Sequence, residues 1–199
     1  MNTNFYSALK ERRSFYGISK EIPISEKRIE EVIKNILKYS PSAFNSQSAR
    51  IVILFGKQHD ILWNITKDAL KKIVPSENFT PTEEKINSFK NGYGTVLFFE
   101  DINVVKNLQE NYSAYKDNFP IWSQQSSGML QYAVWTSLEF EGLGASLQHY
   151  NTLINQDVSK IWNVPSNWQL IAQMPFGKPT ALPDEKSFMP LEERIKIFK

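Results

Sequence analysis

Four short stretches of this 199-residue chain carry residue types that can do chemistry. LKERRSFY, Leu9 to Tyr16, sets two guanidiniums, Arg12 and Arg13, beside the Ser14 hydroxyl. Arginine offers a planar fork of donors and serine a short additional one, which together suit a doubly charged phosphate. The same residues also read as the solvated basic end of a helix, where the macrodipole favours cations. PSAFNSQSAR, Pro41 to Arg50, gathers Ser42, Asn45, Ser46 and Gln47, each with donors and acceptors. Ala43 leaves room for close approach and Phe44 offers an apolar edge, so the loop can hold a flat heterocycle. Turn and cap chemistry is its plainer reading. In EGLGASLQHYN, Gly142 and Gly144 permit close backbone approach ahead of Gln148, His149, Tyr150 and Asn151. A lone histidine such as His149 is more often structural than catalytic. MPFGKP places Lys178 after Gly177, within reach of an anion or simply in solvent.

Several chemistries are excluded. GLG lacks the third glycine of a dinucleotide fingerprint, and GKP is not the GK[ST] of a P-loop. No serine sits in a nucleophile elbow. With no cysteine and only His59 and His149, disulfides and thiolate metal sites are ruled out, and a histidine-rich metal site is disfavoured. A net charge of +2 gives no global field for nucleic acid. IVILF, among the longest apolar runs, falls far short of the roughly 20 residues a membrane span needs. MNTNFYSALKERR has no apolar segment of signal-peptide type. The expectation is a soluble, cytoplasmic protein with neither nucleic acid nor membrane as partner. At 41% hydrophobic and 22% charged, the composition is ordinary for a globular chain, and residues 1–199 read as a single domain.

These stretches need supports, and the hydrophobic pattern supplies them. Residues 4–13 predict a short helix with Phe5, Ala8 and Leu9 on one face. IPISEKRIEEVIKNILKYS is the clearest helix: Ser25 caps it, Glu26 suits its positive end, and Ile29, Val32, Ile33, Ile36 and Leu37 make one stripe. Pro41 blocks continuation, and ARIVILFG follows as a buried strand closed by Gly56. A helix is expected over 58–74, with Ile61, Leu62, Ile65, Leu70 and Ile73 inward. Another opens near Thr80, with Pro81 in its first turn. TVLFFE is a second strand, and helix resumes after Asp101. SSGMLQYAVWTSLEFEGLG is a long helix whose apolar residues are too widespread for one stripe, as at the centre of a dimer. ASLQHY is strand-like, a helix is expected over 156–162, WQLIAQMPFG is a third strand, and the proline-rich tail ends in a short polar helix. Strands interleaved with helices imply helices covering a central sheet.

RRSFY, PSAFNSQSAR, FKNGYGTVLFFED, FPIWSQQSSGMLQYAVWTSLEFEGLGASLQHYN and WQLIAQMPFGKP, in this order, resemble the FMN-dependent nitroreductase family over essentially the whole chain. The likeness is nearest to the subgroup of the bacterial copper-induced nitroreductase and the fungal nitroreductase-like proteins linked to fatty-acid repression. It implies an α+β fold, with a mainly antiparallel sheet flanked by helices in an intertwined homodimer holding FMN at its interface. It places Arg12, Arg13, Ser14 and Lys178 on the FMN phosphate and ribityl chain. Ser42, Ala43 and Phe44 of the other subunit would lie along the flavin, braced by Asn45 and Gln47. The stretch Gln148, His149, Tyr150, Asn151 would pass the flavin edge. Tyr16 stands where many members carry a lysine near the flavin's pyrimidine end. The implied activity is NAD(P)H-dependent reduction of nitroaromatics or quinones by a ping-pong mechanism, with stress defence as one setting. The alternative is a flavin-binding regulatory protein with little turnover, to which bulky Tyr16, Tyr112, Tyr115, Phe119 and Trp122 would lend themselves by narrowing access.

Overall fold

The computed structural model describes residues 4–199. Its centre is β3 (Gly94–Asp101), buried along its whole length. Such a strand must be paired on both edges and covered on both faces, because its backbone and its apolar side chains leave nothing for water. Both demands are met. β2 (Ala49–Phe55) pairs with one edge and β5 (Trp168–Pro179) with the other, each antiparallel. Two short strands, β1 (Ile18–Ser19) and β4 (Gly144–Ala145), add to β5, again antiparallel, so the sheet runs β1-β5-β3-β2 with β4 beside β5. The expected α+β architecture with an antiparallel sheet is what the chain adopts.

The period-2 alternation of β3 sorts its side chains into two cores. Val96 and Phe98 pack with Ala172, Met174 and Phe176 of β5 under α2 (Glu26–Tyr39) and α6 (Phe119–Phe140). Leu97 and Phe99 face the opposite layer: α3 (Lys57–Lys71), α4 (Phe79–Lys90) and α7 (Asn151–Ile161), where Leu62, Trp63, Phe89, Ile154 and Val158 are buried. A register shift between Phe98 and Phe99 lets β3 follow the twist of β5. Close strand approach explains Gly177: a Cβ there would lie 2.2 Å from the Ser19 carbonyl oxygen.

Ser25 caps α2 as expected, its Oγ accepting from the Arg28 N–H at 3.2 Å. Other boundaries differ. α6 begins at Phe119, seven residues before the expected start, with Pro120 in the first turn where its missing N–H is no loss. α7 begins at Asn151 rather than 156, its N-cap Tyr150 having no capping side-chain bond. α3 ends at Lys71, so Ile73 lies beyond it and is exposed, and the inward stripe runs through Leu62, Trp63, Thr66, Ala69 and Leu70. α1 (Phe5–Glu11) buries only Ala8 and leaves Phe5 and Leu9 exposed. The expected terminal polar helix is a single 3₁₀ turn, Leu191–Glu193, in a tail that exposes Leu182, Phe188 and Phe198. α5 (Ile102–Asn111) starts where expected, with Asp101 accepting from the Asn103 N–H.

Candidate active site

Arg12 is the C-cap of α1, where the chain leaves the helix and turns along the sheet. Ser14 then bridges to Ala145 of β4, and the Phe15 N–H donates to the Ala145 carbonyl at 2.9 Å. Buried Phe15 anchors this crossing. Neither arginine has a carboxylate within ion-pair distance among the described residues. The Arg12 Cζ lies 4.3 Å from the Trp135 ring centroid, and Arg13 Nη2 donates to the Asp184 carbonyl. Arg12, Arg13, Ser14 and Tyr16 line one side of a cleft of about 390 Å³, and the tail segment Ala181–Asp184 with Lys186 lines the other. Two guanidiniums without a carboxylate among the described residues, beside a hydroxyl and a lysine, make this a place for an anion with several acceptor oxygens.

Lys178 is not among the residues that line this cleft. From within β5 its side chain forms a 2.7 Å ion pair with Glu21, which holds the Glu21 carboxyl below its usual range. Gln148 and Tyr150 are tied to β5 through Gln173. The Gln148 N–H donates to the Gln173 carbonyl at 2.7 Å, and the Tyr150 N–H donates to Gln173 Oε1 at 2.7 Å. Two of the four amides of this stretch are therefore committed. Those of His149 and Asn151 have no partner among the described residues. Burial, with a smaller contribution from neighbouring Tyr16, pushes the Tyr150 phenol up. Tyr150 and Tyr16 are thus neighbours, while Gln148 is buried.

The PSAFN loop lies elsewhere on the chain. Phe44, Asn45 and Gln47 all adopt positive φ, at 56°, 50° and 49°, although none is glycine. Each such residue carries roughly 1–3 kcal/mol of strain that the surroundings must hold. Ser42 Oγ accepts from the Gln47 N–H at 2.9 Å, and Arg50 Nη1 donates to the Gln47 carbonyl at 2.7 Å. Phe44 is clasped by Tyr112, Tyr115, Phe119 and Trp122, with ring centroids 4.9 to 6.1 Å away. Below the loop, Ser48 and Ser123 donate to Glu100 Oε2 at 2.6 and 2.7 Å, in a site where burial pushes this carboxyl up. The loop is thereby rooted in the core while its tip stays exposed.

Within one chain this loop and the arginine cleft do not meet. Trp122 sits beside Phe44 and Trp135 beneath Arg12. They are thirteen positions apart along α6, about 20 Å at helical rise. The sequence pattern did not reveal Trp135, Lys186 or the 181–184 wall as neighbours of Arg12. No local signal links positions so distant in the chain, and Trp135 reads as ordinary helix packing.

The family model described as "Nitroreductase family" matches residues 9–178. Nitroreductase FRM2 of Saccharomyces cerevisiae is 35% identical over 188 residues, 94% of this chain and 93% of that protein. Nitroreductase CinD from Lactococcus lactis, solved in complex with 4-nitrophenol, is 44% identical with a TM-score of 0.90, covering 98% of this chain and 100% of its own. The same protein in complex with nicotinic acid superposes with a TM-score of 0.86 at 43% identity, with the same coverage. The chain belongs to the nitroreductase family and is an oxidoreductase.

Proposed function

We propose that the protein is a cytoplasmic, FMN-dependent reductase that takes electrons from NAD(P)H and passes them to nitroaromatics or quinones by a ping-pong mechanism. The observation that carries this reading is the cleft of Arg12, Arg13 and Ser14, whose guanidiniums have no carboxylate within ion-pair distance among the described residues. Those donors fit a phosphate monoester, and Lys186 adds a third cation. The unpartnered His149 and Asn151 amides fit the heteroatoms of a flat ring edge. Bound FMN would supply the redox chemistry, accepting hydride equivalents and releasing them to an acceptor. The protein's part is to clamp the phosphate, present a ring edge to backbone donors and cover the ring. The CinD complexes with 4-nitrophenol and nicotinic acid support a nitroaromatic acceptor and a pyridine-ring donor.

A second copy completes the site in this reading. Ile121, Met129, Tyr132 and Phe140 are exposed on α6 although Leu130, Val134 and Leu138 already face the sheet. Gly128 sits in mid-helix, and beyond its own stretch of helix no atom of the described residues lies within 4 Å of the position a Cβ would take. A twofold axis near Gly128 and Met129, midway between Trp122 and Trp135, carries Ser42, Ala43 and Phe44 of one subunit to the Arg12 cleft of the other. Asn45 and Gln47 brace that loop.

Purified protein is expected to be yellow with an equimolar complement of FMN. Anaerobic NADH or NADPH should bleach it, and a nitroaromatic should restore the colour. A colourless protein that takes up no FMN on reconstitution overturns the proposal; flavin that binds but is never bleached favours the regulatory alternative. Arg12→Ala should weaken FMN binding roughly 10- to 100-fold, the worth of one charge-assisted contact. Titration of apoprotein with FMN checks this.

A further inference from the structure

Arg12 has a second neighbour besides Trp135. Glu139 stands one turn further along α6, and its Oε2 is buried without a hydrogen-bond partner, as is Nε of Arg12. The two opposite charges influence one another yet form no ion pair within 4 Å among the described residues. Burial, with Glu11 adding and Arg12 opposing, pushes the Glu139 carboxyl up to about 7. A tight pair with Arg12 would have driven it the other way.

Trp135 packs against the guanidinium. Its ring lies 4.3 Å from the Arg12 Cζ, and a guanidinium over an indole face is attracted without using its N–H donors. Tyr132, one turn earlier on α6, lies 5.9 Å from the same carbon. The indole is itself fixed, since Nε1 donates to the Ala145 carbonyl at 3.2 Å. That carbonyl also accepts from the Phe15 N–H, beside the Ser14–Ala145 bridge. One side chain thus holds Arg12 by its face and the Ser14 segment by its edge.

We propose that Trp135 is a positioning residue that keeps the Arg12 fork open for a phosphate and off Glu139. The inference rests on the reading of the cleft as a phosphate site. In its absence the guanidinium turns to the Glu139 carboxylate, and the cleft loses a cation.

The test compares FMN with riboflavin, which lacks the phosphate, in fluorescence titrations of apoprotein. Wild type should prefer FMN. Trp135→Leu should bind FMN roughly 3- to 30-fold more weakly, the span expected for one cation–π contact, with riboflavin unchanged. Adding Glu139→Gln to Trp135→Leu should recover part of the FMN affinity, and Trp135→Phe, which keeps a ring under the guanidinium, should retain most of it. Should Trp135→Leu fail to fold, Trp135→Met carries the same comparison. Unchanged FMN affinity in Trp135→Leu overturns the proposal. So does an equal loss for both flavins without rescue, which marks a packing role. If wild type binds both flavins equally, the phosphate reading itself is wrong and the proposal goes with it.

Discussion

His59 shows how a single residue's chemistry follows from its neighbours. It is fully buried on α3. Its Nε2 lies 3.2 Å from the Lys90 carbonyl, which can only accept, so Nε2 carries the proton. Nδ1 then accepts from the Thr95 hydroxyl at 2.8 Å, and that oxygen accepts in turn from Trp63 Nε1 at 3.0 Å. All three polar groups are satisfied with a neutral imidazole. Burial pushes its pKa down to about 4 from 6.5, against the opposing pull of the Lys90 carbonyl. Between pH 6.5 and 4 the unfolded chain therefore binds a proton that the folded chain does not, and stability falls as pH drops through that window. The loss amounts to about 3 kcal/mol by pH 4. Glu139 has the opposite sign: raised to about 7, it takes up its proton earlier in the folded state, so the fold gains stability as pH falls from 7 to 4.5. A comparison with His59→Gln isolates the histidine. The stability difference between wild type and variant, measured by urea unfolding of apoprotein, should shrink by about 3 kcal/mol between pH 7 and pH 4. A difference that stays constant would show that His59 does not resist protonation.

At the scale of elements, α6 tests what the helix is for. Glycine in a helix interior costs about 1 kcal/mol relative to alanine, and the chain itself gives Gly128 no steric reason to be glycine. A free-standing α6 would be stabilised by Gly128→Ala. Because a second copy is proposed to pack there, the variant should instead melt no higher than wild type and dissociate at higher protein concentration, as sedimentation would report. α3 gives a simpler expectation: Trp63→Ala empties the centre of its layer and should lower stability by about 3–5 kcal/mol in urea unfolding. These elements also mark the limits of legibility. α2 was readable because its cap and most of its stripe are local: Ser25 caps it and Ile29, Val32 and Ile33 are buried, although Ile36 is only partly buried and Leu37, at the last turn, is exposed. The early start of α6 was hidden because Pro120 reads equally as a stop and as a first-turn residue, and Asn118 makes no side-chain cap. The start of α7 was hidden for a related reason: the Tyr150 N–H is satisfied by Gln173 Oε1, a residue far along the chain. RRS and PSAFN could be singled out by residue type. The left-handed backbone at Phe44, Asn45 and Gln47 could not, since no glycine advertises it and the aromatic clasp that holds it comes from residues 112–122.

For the whole molecule, the separation of the loop from the arginine cleft leads to a complementation experiment. Arg12→Ala spoils one half of a site and Ala43→Trp the other. Each variant alone should bind FMN poorly. Mixed with time for subunit exchange, they should regain part of the binding, because one site of each heterodimer receives both defects and the other receives neither. Heterodimers that never recover a working site would show that the two halves do not share one cofactor. The interface should exceed about 2,000 Å², the range of obligate pairs.

The sheet also sets an order in time. β5 pairs with β1, β3 and β4, yet it ends only at Pro179, and the wall of the arginine cleft follows it at 181–186. Ile18 therefore waits for Pro179, its partner near the far end of the chain. During synthesis, a nascent chain that has not reached Trp168 holds β3 with one edge open, a row of unpaired amides on an apolar strand. Such a chain cannot settle its core domain-fashion as it emerges, and pairings this distant form slowly once it can. Translation that stops short of β5 should yield aggregates rather than a smaller soluble protein, and the arginine cleft should form only after β5 is in place.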